Sequence, residues 1–106
     1  MEYYLVYVTA ANENEAARIA TALVKKRLAA CVNVLPDIKS MFWWDEMVNT
    51  KNEVAFVAKT TKERFPAFLE EVKARHSYEV PCVVALPLVD GNPEFLQWIG
   101  EQTKEG

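Results

Sequence analysis

Apolar positions recur along this chain with two alternating periods, and each change of period marks a new element. Tyr3 to Ala10 is rich in β-branched and aromatic residues and reads as a first strand. Asn12, with Glu15 three residues on, has the form of a capping box. Ala16, Ile19, Ala20, Leu23 and Leu28 then set one stripe on a helix of about four turns, with Lys25, Lys26 and Arg27 suiting its C-terminal end. Cys31 to Trp44 is a second extended run, with a bend or bulge expected at Pro36-Asp37. Val48 to Thr60 is a third, where Val54, Phe56 and Ala58 alternate with Ala55, Val57 and Lys59. Between them, Asp45 to Asn49 predicts a hairpin turn.

Thr60 and Glu63 offer a second capping box, and Phe65, Phe68, Leu69 and Val72 form the stripe of a second helix. Pro66 must then lie in its first turn, where a missing N–H is tolerated. Val80 to Val89 reads as a fourth strand, delimited by Pro81 and Pro87, which suggest an edge position or an irregular strand. Asn92 and Pro93 start a third helix, with Phe95, Leu96 and Ile99 expected to face inward. The order βαββαβ plus a terminal helix predicts an α+β, ferredoxin-like two-layer sandwich forming a single domain over residues 1–106.

The second and third strands are too long for such a sandwich. A run from Cys31 to Trp44 reaches ~40 Å at about 3.3 Å per residue, whereas a domain of this length is only about 35 Å across. The hairpin should therefore overhang its own core. At the overhang, alternation puts Phe42 and Trp44 on one face and Met41 and Trp43 on the other, so both faces are apolar. Each aromatic presents roughly 150–250 Å² for burial, and a patch of that size on a lone subunit is unusual. Phe42, Trp43 and Trp44 are accordingly expected at an interface between copies, where a closed assembly also hides strand edges.

Composition narrows the function. The 106 residues carry 12 Lys+Arg against 15 Asp+Glu, a net charge of −3, with no basic run. That argues against nucleic acid as a partner, because phosphate neutralisation drives such binding. The basic, aromatic pattern of RNA-recognition modules on this topology is also missing. No apolar stretch approaches the ~20 residues of a membrane span, and Met1-Glu2-Tyr3-Tyr4 lacks the basic start of a signal peptide. A cytoplasmic location is the expectation. Cys31 and Cys82 both sit in apolar, strand-like runs and read as small hydrophobes rather than a disulfide. With only Gly91, Gly100 and Gly106, the chain has no phosphate-binding glycine loop. No nucleophile–base pairing has support either, so no enzymatic activity is expected. The loop Ala11-Asn12-Glu13-Asn14 lacks the arginine and glycines an acylphosphatase places there.

Several segments, taken together, are specific. Ala29-Ala30-Cys31-Val32-Asn33-Val34-Leu35-Pro36, Phe42-Trp43-Trp44, Lys59-Thr60, His76-Ser77-Tyr78-Glu79-Val80-Pro81, Ala85-Leu86-Pro87 and Gly91-Asn92 resemble the CutA family of divalent-cation tolerance proteins, in that family's order and spacing. The similarity runs from about Val6 to Trp98. It implies a homotrimer with an architecture related to PII signalling proteins, in which the hairpin wraps a neighbouring subunit, and a link to tolerance of copper and other divalent metals. The usual His-Pro-Tyr reads His76-Ser77-Tyr78 here, and Asp37 and Glu46 stand near positions where the family has glycine. Some members carry a further histidine and a cysteine that are proposed copper ligands; Arg75 and Val8 stand there, which leaves only His76 and implies at most a weak site.

His76, the only histidine, has two readings. A helix-end histidine ordinarily bonds the final carbonyls. In a threefold assembly, beside Tyr78, Glu79 or a neighbour's residues, it would instead suit copper(II) or zinc, with no cofactor required. Lys59 could pair with Glu79, or bind a small anion near the N–H groups that open the second helix. Trp44 and Tyr78 could line a cleft between subunits, the setting for an alternative function as a PII-like sensor of an anionic ligand.

Overall fold

Tyr3–Ala10 (β1) pairs antiparallel with Met47–Thr61 (β3) on one side and with Val83–Pro87 (β4) on the other. Cys31–Trp44 (β2) adds to the far side of β3, giving the strand order β2-β3-β1-β4. Glu13–Lys25 (α1), Phe65–Arg75 (α2) and Pro93–Gln102 (α3) complete a ferredoxin-like α+β chain. The structure, a computed structural model, describes residues 1–105.

Residues directly paired across strands share a face. Val6, Val8 and Ala10 therefore line up with Ala58, Phe56 and Val54, and α1 and α2 close over them with Ile19, Leu23, Phe68 and Val72. Burying each large side chain of this set stabilises the fold by about 1.5–3 kcal/mol. The other face carries Leu5, Tyr7, Val57, Leu35, Val84 and Leu86, and the last three are exposed. Near one end of it α3 packs, where the Tyr3 ring and Met1 Sδ lie against Gly100.

The cap of α1 forms nearly as its sequence predicts. Asn12 Oδ1 accepts the Glu15 N–H at 2.8 Å, while the Glu15 carboxylate reaches back one residue further, to the Ala11 N–H at 2.9 Å. At the other end Arg27 takes a positive φ of 62° and the Leu28 N–H donates to Leu23 O at 2.9 Å, a Schellman-type closure that seats Leu28 in the core.

Three local expectations need correction. Thr60 and Glu63 do not cap α2: β3 runs on through Thr61, so Thr60 is still paired with Tyr4 and its hydroxyl donates to Leu28 O at 2.7 Å. Arg64 precedes the helix without a side-chain cap, although Pro66 does lie in the first turn. The fourth strand is shorter than Val80 to Val89: it pairs with β1 over Val83–Pro87, so Pro81 lies before it and Pro87 is its last paired residue. It is an edge, as its prolines indicate. In α3, Asn92 caps and Pro93 opens the helix, but only Ile99 of the expected inward set is fully buried, and Phe95 lies exposed against Trp98.

The hairpin overhangs. The subunit measures 44 × 26 × 21 Å, its long axis exceeding either other dimension by well over half. Pro36-Asp37 forms the bulge, with the register shifting between Leu35 and Ile38 and Asp37 at φ 58°. The turn is tighter than expected: Trp44 already pairs with Met47, leaving only Asp45 and Glu46, at φ 54° and 60°. Positive φ at both central residues matches the right-handed strand twist and favours Asn or Gly. Glu46→Gly should therefore stabilise the protein by about 1 kcal/mol, read as a higher urea midpoint at unchanged slope.

Candidate functional site

The segment that leaves α2 crosses the end of β1 and reaches the root of the hairpin. His76 begins it, and its side chain is fully buried. Its Nε2–H donates to Thr9 O at 2.7 Å, and its Nδ1 accepts the Tyr78 N–H at 3.0 Å. A carbonyl can only accept and an amide only donate, so this pattern dictates the neutral, Nε2-protonated imidazole.

Beside it lies Glu15, 3% exposed. One carboxylate oxygen accepts the Ala11 N–H at 2.9 Å and the other the Ser77 N–H at 2.8 Å. Burial pushes this carboxyl's pKa up, but the hydrogen bonds from the Ala11 amide and from Ser77 outweigh it and hold the group below its ordinary value. Glu15 thus joins the N-terminus of α1 to the exit of α2.

Tyr78 carries the connection into the hairpin. Its hydroxyl donates to Glu53 Oε2 at 2.6 Å and accepts from Lys51 Nζ at 2.7 Å. The same ammonium stands 4.3 Å from the centre of the tyrosine ring, and the His76 ring lies 4.7 Å away on centroids. Lys51 and Glu53 are two apart on β3 and so project to one face, just beyond the bulge. Burial first, then the bond to Glu53, raises the phenol's pKa, and the bond to Tyr78 raises that of Lys51. For groups shifted upward, the stabilisation is complete below the ordinary phenol value of 10.0 and is lost as pH rises through the shifted values. Tyr78→Phe should cost about 1–2 kcal/mol at pH 7, and a urea series from pH 8 to 11 should show a shallower alkaline loss than in the parent.

The expected site residues do not converge within one subunit. Lys59 lies on the open face, bonded to Asn33 Oδ1 rather than to Glu79. It stands six residues along β3 from Glu53, hence about 20 Å away. It cannot serve the N-terminus of α2, because that helix packs on the opposite face. Glu79 is exposed without a polar partner among the described residues, and Trp44 sits near the hairpin tip. His76 is neither a free ligand nor a donor to the final helix carbonyls, since both ring nitrogens are already bonded elsewhere. Among the described residues, no three His, Cys, Asp or Glu side chains come together to hold an ion. Glu15, Lys51 and Glu53 were missed as partners of the His76–Tyr78 segment. Lys51 and Glu53 reach it from β3 and Glu15 from the first turn of α1.

Phe42, Trp43 and Trp44 lie where the alternation places them. Phe42 and Trp44 share a face with Met47, and Trp43 pairs with Val48 on the other. Trp43 is 74% exposed and Trp44 69%, an apolar surface on both faces of the overhang.

A family described as CutA1 divalent ion tolerance protein matches residues 4–102. A divalent-cation tolerance protein CutA of Archaeoglobus fulgidus is 49% identical over 96 residues, spanning 91% of this chain and 93% of its own. Its counterpart in Thermus thermophilus is 46% identical over 99 residues, covering 93% and 96%. The crystal structure of CutA1 from Oryza sativa superposes with a TM-score of 0.96 at 40% identity, covering 100% of this chain and 97% of that one. A chloroplastic rice relative is longer, and the chain spans 57% of its length.

The expected cytoplasmic location is overturned by these relatives. The Archaeoglobus structure is described as periplasmic, and the rice and Arabidopsis relatives as chloroplastic. The missing leader signal at Met1 therefore carries no weight for location.

Proposed function

Because the chain belongs to the CutA1 divalent ion tolerance protein family, we propose that it acts in tolerance of divalent cations as a non-enzymatic homotrimer. The observation that carries this reading is the overhanging hairpin. Met41, Trp43, Trp44, Met47 and Val48 are all exposed on it, and the sheet's open face presents a second apolar surface for them to cover. A closed threefold ring lets each hairpin lie on the next subunit while every subunit's surface is used once. Any site for copper or another divalent cation then needs side chains from more than one subunit, since no single subunit assembles three ligands among its described residues.

Native mass spectrometry should return a three-chain particle that survives raised salt, and a stable monomer at micromolar concentration overturns the assembly. Cells lacking the gene should lose growth in raised copper. The parent chain should restore it, and a variant that cannot assemble should not.

One observation favours a second reading. Lys59 is a cation on an apolar face whose bonded partner, Asn33, is neutral. In a trimer it could meet a small anion beside a neighbour's Tyr78, as in a PII-like sensor. A thermal-shift screen of the trimer against nucleotides and organic acids tests this; a hit that Lys59→Ala abolishes supports it, and an empty screen removes it.

A further inference from the structure

We infer that His76 is a positioning residue and not a cation ligand: it aims Tyr78 at the hairpin root, and its coordination of a metal excludes that docked arrangement. Neutral imidazole has one lone pair for a metal, here on Nδ1, and Nδ1 already accepts the Tyr78 N–H. The other nitrogen carries the proton donated to Thr9 O. The ring is fully buried, and the nearest carboxylate, Glu15, has both oxygens bonded to the amides of Ala11 and Ser77. A cation could reach Nδ1 only if the Tyr78 amide left, and with it the phenol that bonds Glu53 and Lys51. The Nδ1 contact to the N–H two residues on also has the form of an Asx-turn, which asparagine makes with its side-chain oxygen. The inference concerns the subunit alone and stands or falls independently of the trimer.

The test is imidazole ¹⁵N and amide hydrogen-exchange NMR on the intact protein, with Zn²⁺ alone as the probe. In the parent, the ring should show a protonated Nε2 and an unprotonated Nδ1, unchanged by equimolar Zn²⁺. His76→Asn should keep exchange of the Tyr78 amide within roughly tenfold of the parent, whereas His76→Ala should speed it by about 100-fold. Zinc affinity by calorimetry should be the same in all three. Movement of the ring ¹⁵N resonances with zinc overturns the inference, and so does a tenfold weaker zinc affinity in a His76→Asn protein that retains Tyr78 protection. A protected Tyr78 amide in His76→Ala overturns the positioning role. If the alanine variant does not fold, the parent spectra and the asparagine variant still decide.

Discussion

Replacing Trp43 and Trp44 together by serine should convert the assembly to monomers while leaving each subunit folded. The two rings occupy opposite faces of the hairpin and are 74% and 69% exposed in the subunit, so neither supports the core. If the neighbour covers them, each contributes roughly 150–250 Å², or about 4–6 kcal/mol at ~25 cal/mol per Å². The proposed ring of three such contacts should not survive their loss at micromolar concentration. Sedimentation should report the monomer and far-UV circular dichroism an unchanged fold. A trimer as stable as the parent's would show that the hairpin aromatics do not hold the subunits together.

The second large effect is expected at Glu15. Glu15→Ala leaves the amides of Ala11 and Ser77 without their acceptor in a buried site, at about 1–3 kcal/mol for each. A total of about 3–5 kcal/mol is a large share of a small domain's stability. Denaturation at fixed protein concentration should show it. Glu15→Gln should lie between, since its amide oxygen can satisfy one N–H while its NH₂ faces the other. The acid limb follows from the depressed pKa. The unfolded chain binds the proton more readily than the folded one, so the contribution is complete above the ordinary value of 4.5 and is lost as pH falls through the lower folded value. The alanine variant should show a flatter decline in that window than the parent.

Much of the fold was legible because it rests on local rules. Asn12 and Asn92 cap where their side chains reach the first free amides. Pro87 fits the end of an edge strand because proline has no N–H to donate to a ladder. The reach of Cys31 to Trp44 is a matter of rise per residue, and the overhang followed from it. The second capping box failed for a tertiary reason: Thr60 keeps its place beside Tyr4 and bonds Leu28 O, 32 positions away.

The candidate site was far less legible. Motif spacing singled out His76 and Tyr78, but the choice between metal ligand and structural residue depends on what faces the ring. Thr9 lies 67 positions from His76, Glu15 lies 62 from Ser77, and Glu53 lies 25 from Tyr78. Those distances close only when α1, α2 and the sheet have packed together. The sheet register places Lys59 on the open face, about 20 Å along β3 from the Glu53 that Tyr78 bonds.

Periodicity, caps and strand length thus determined the order of elements, the overhang and its apolar faces, because each depends on residues a few positions apart. Burial and the pairing of side chains depend on residues brought together from distant parts of the chain. Tertiary structure alone decided that the single imidazole is consumed inside the subunit, and that Tyr78 ends between Lys51 and Glu53.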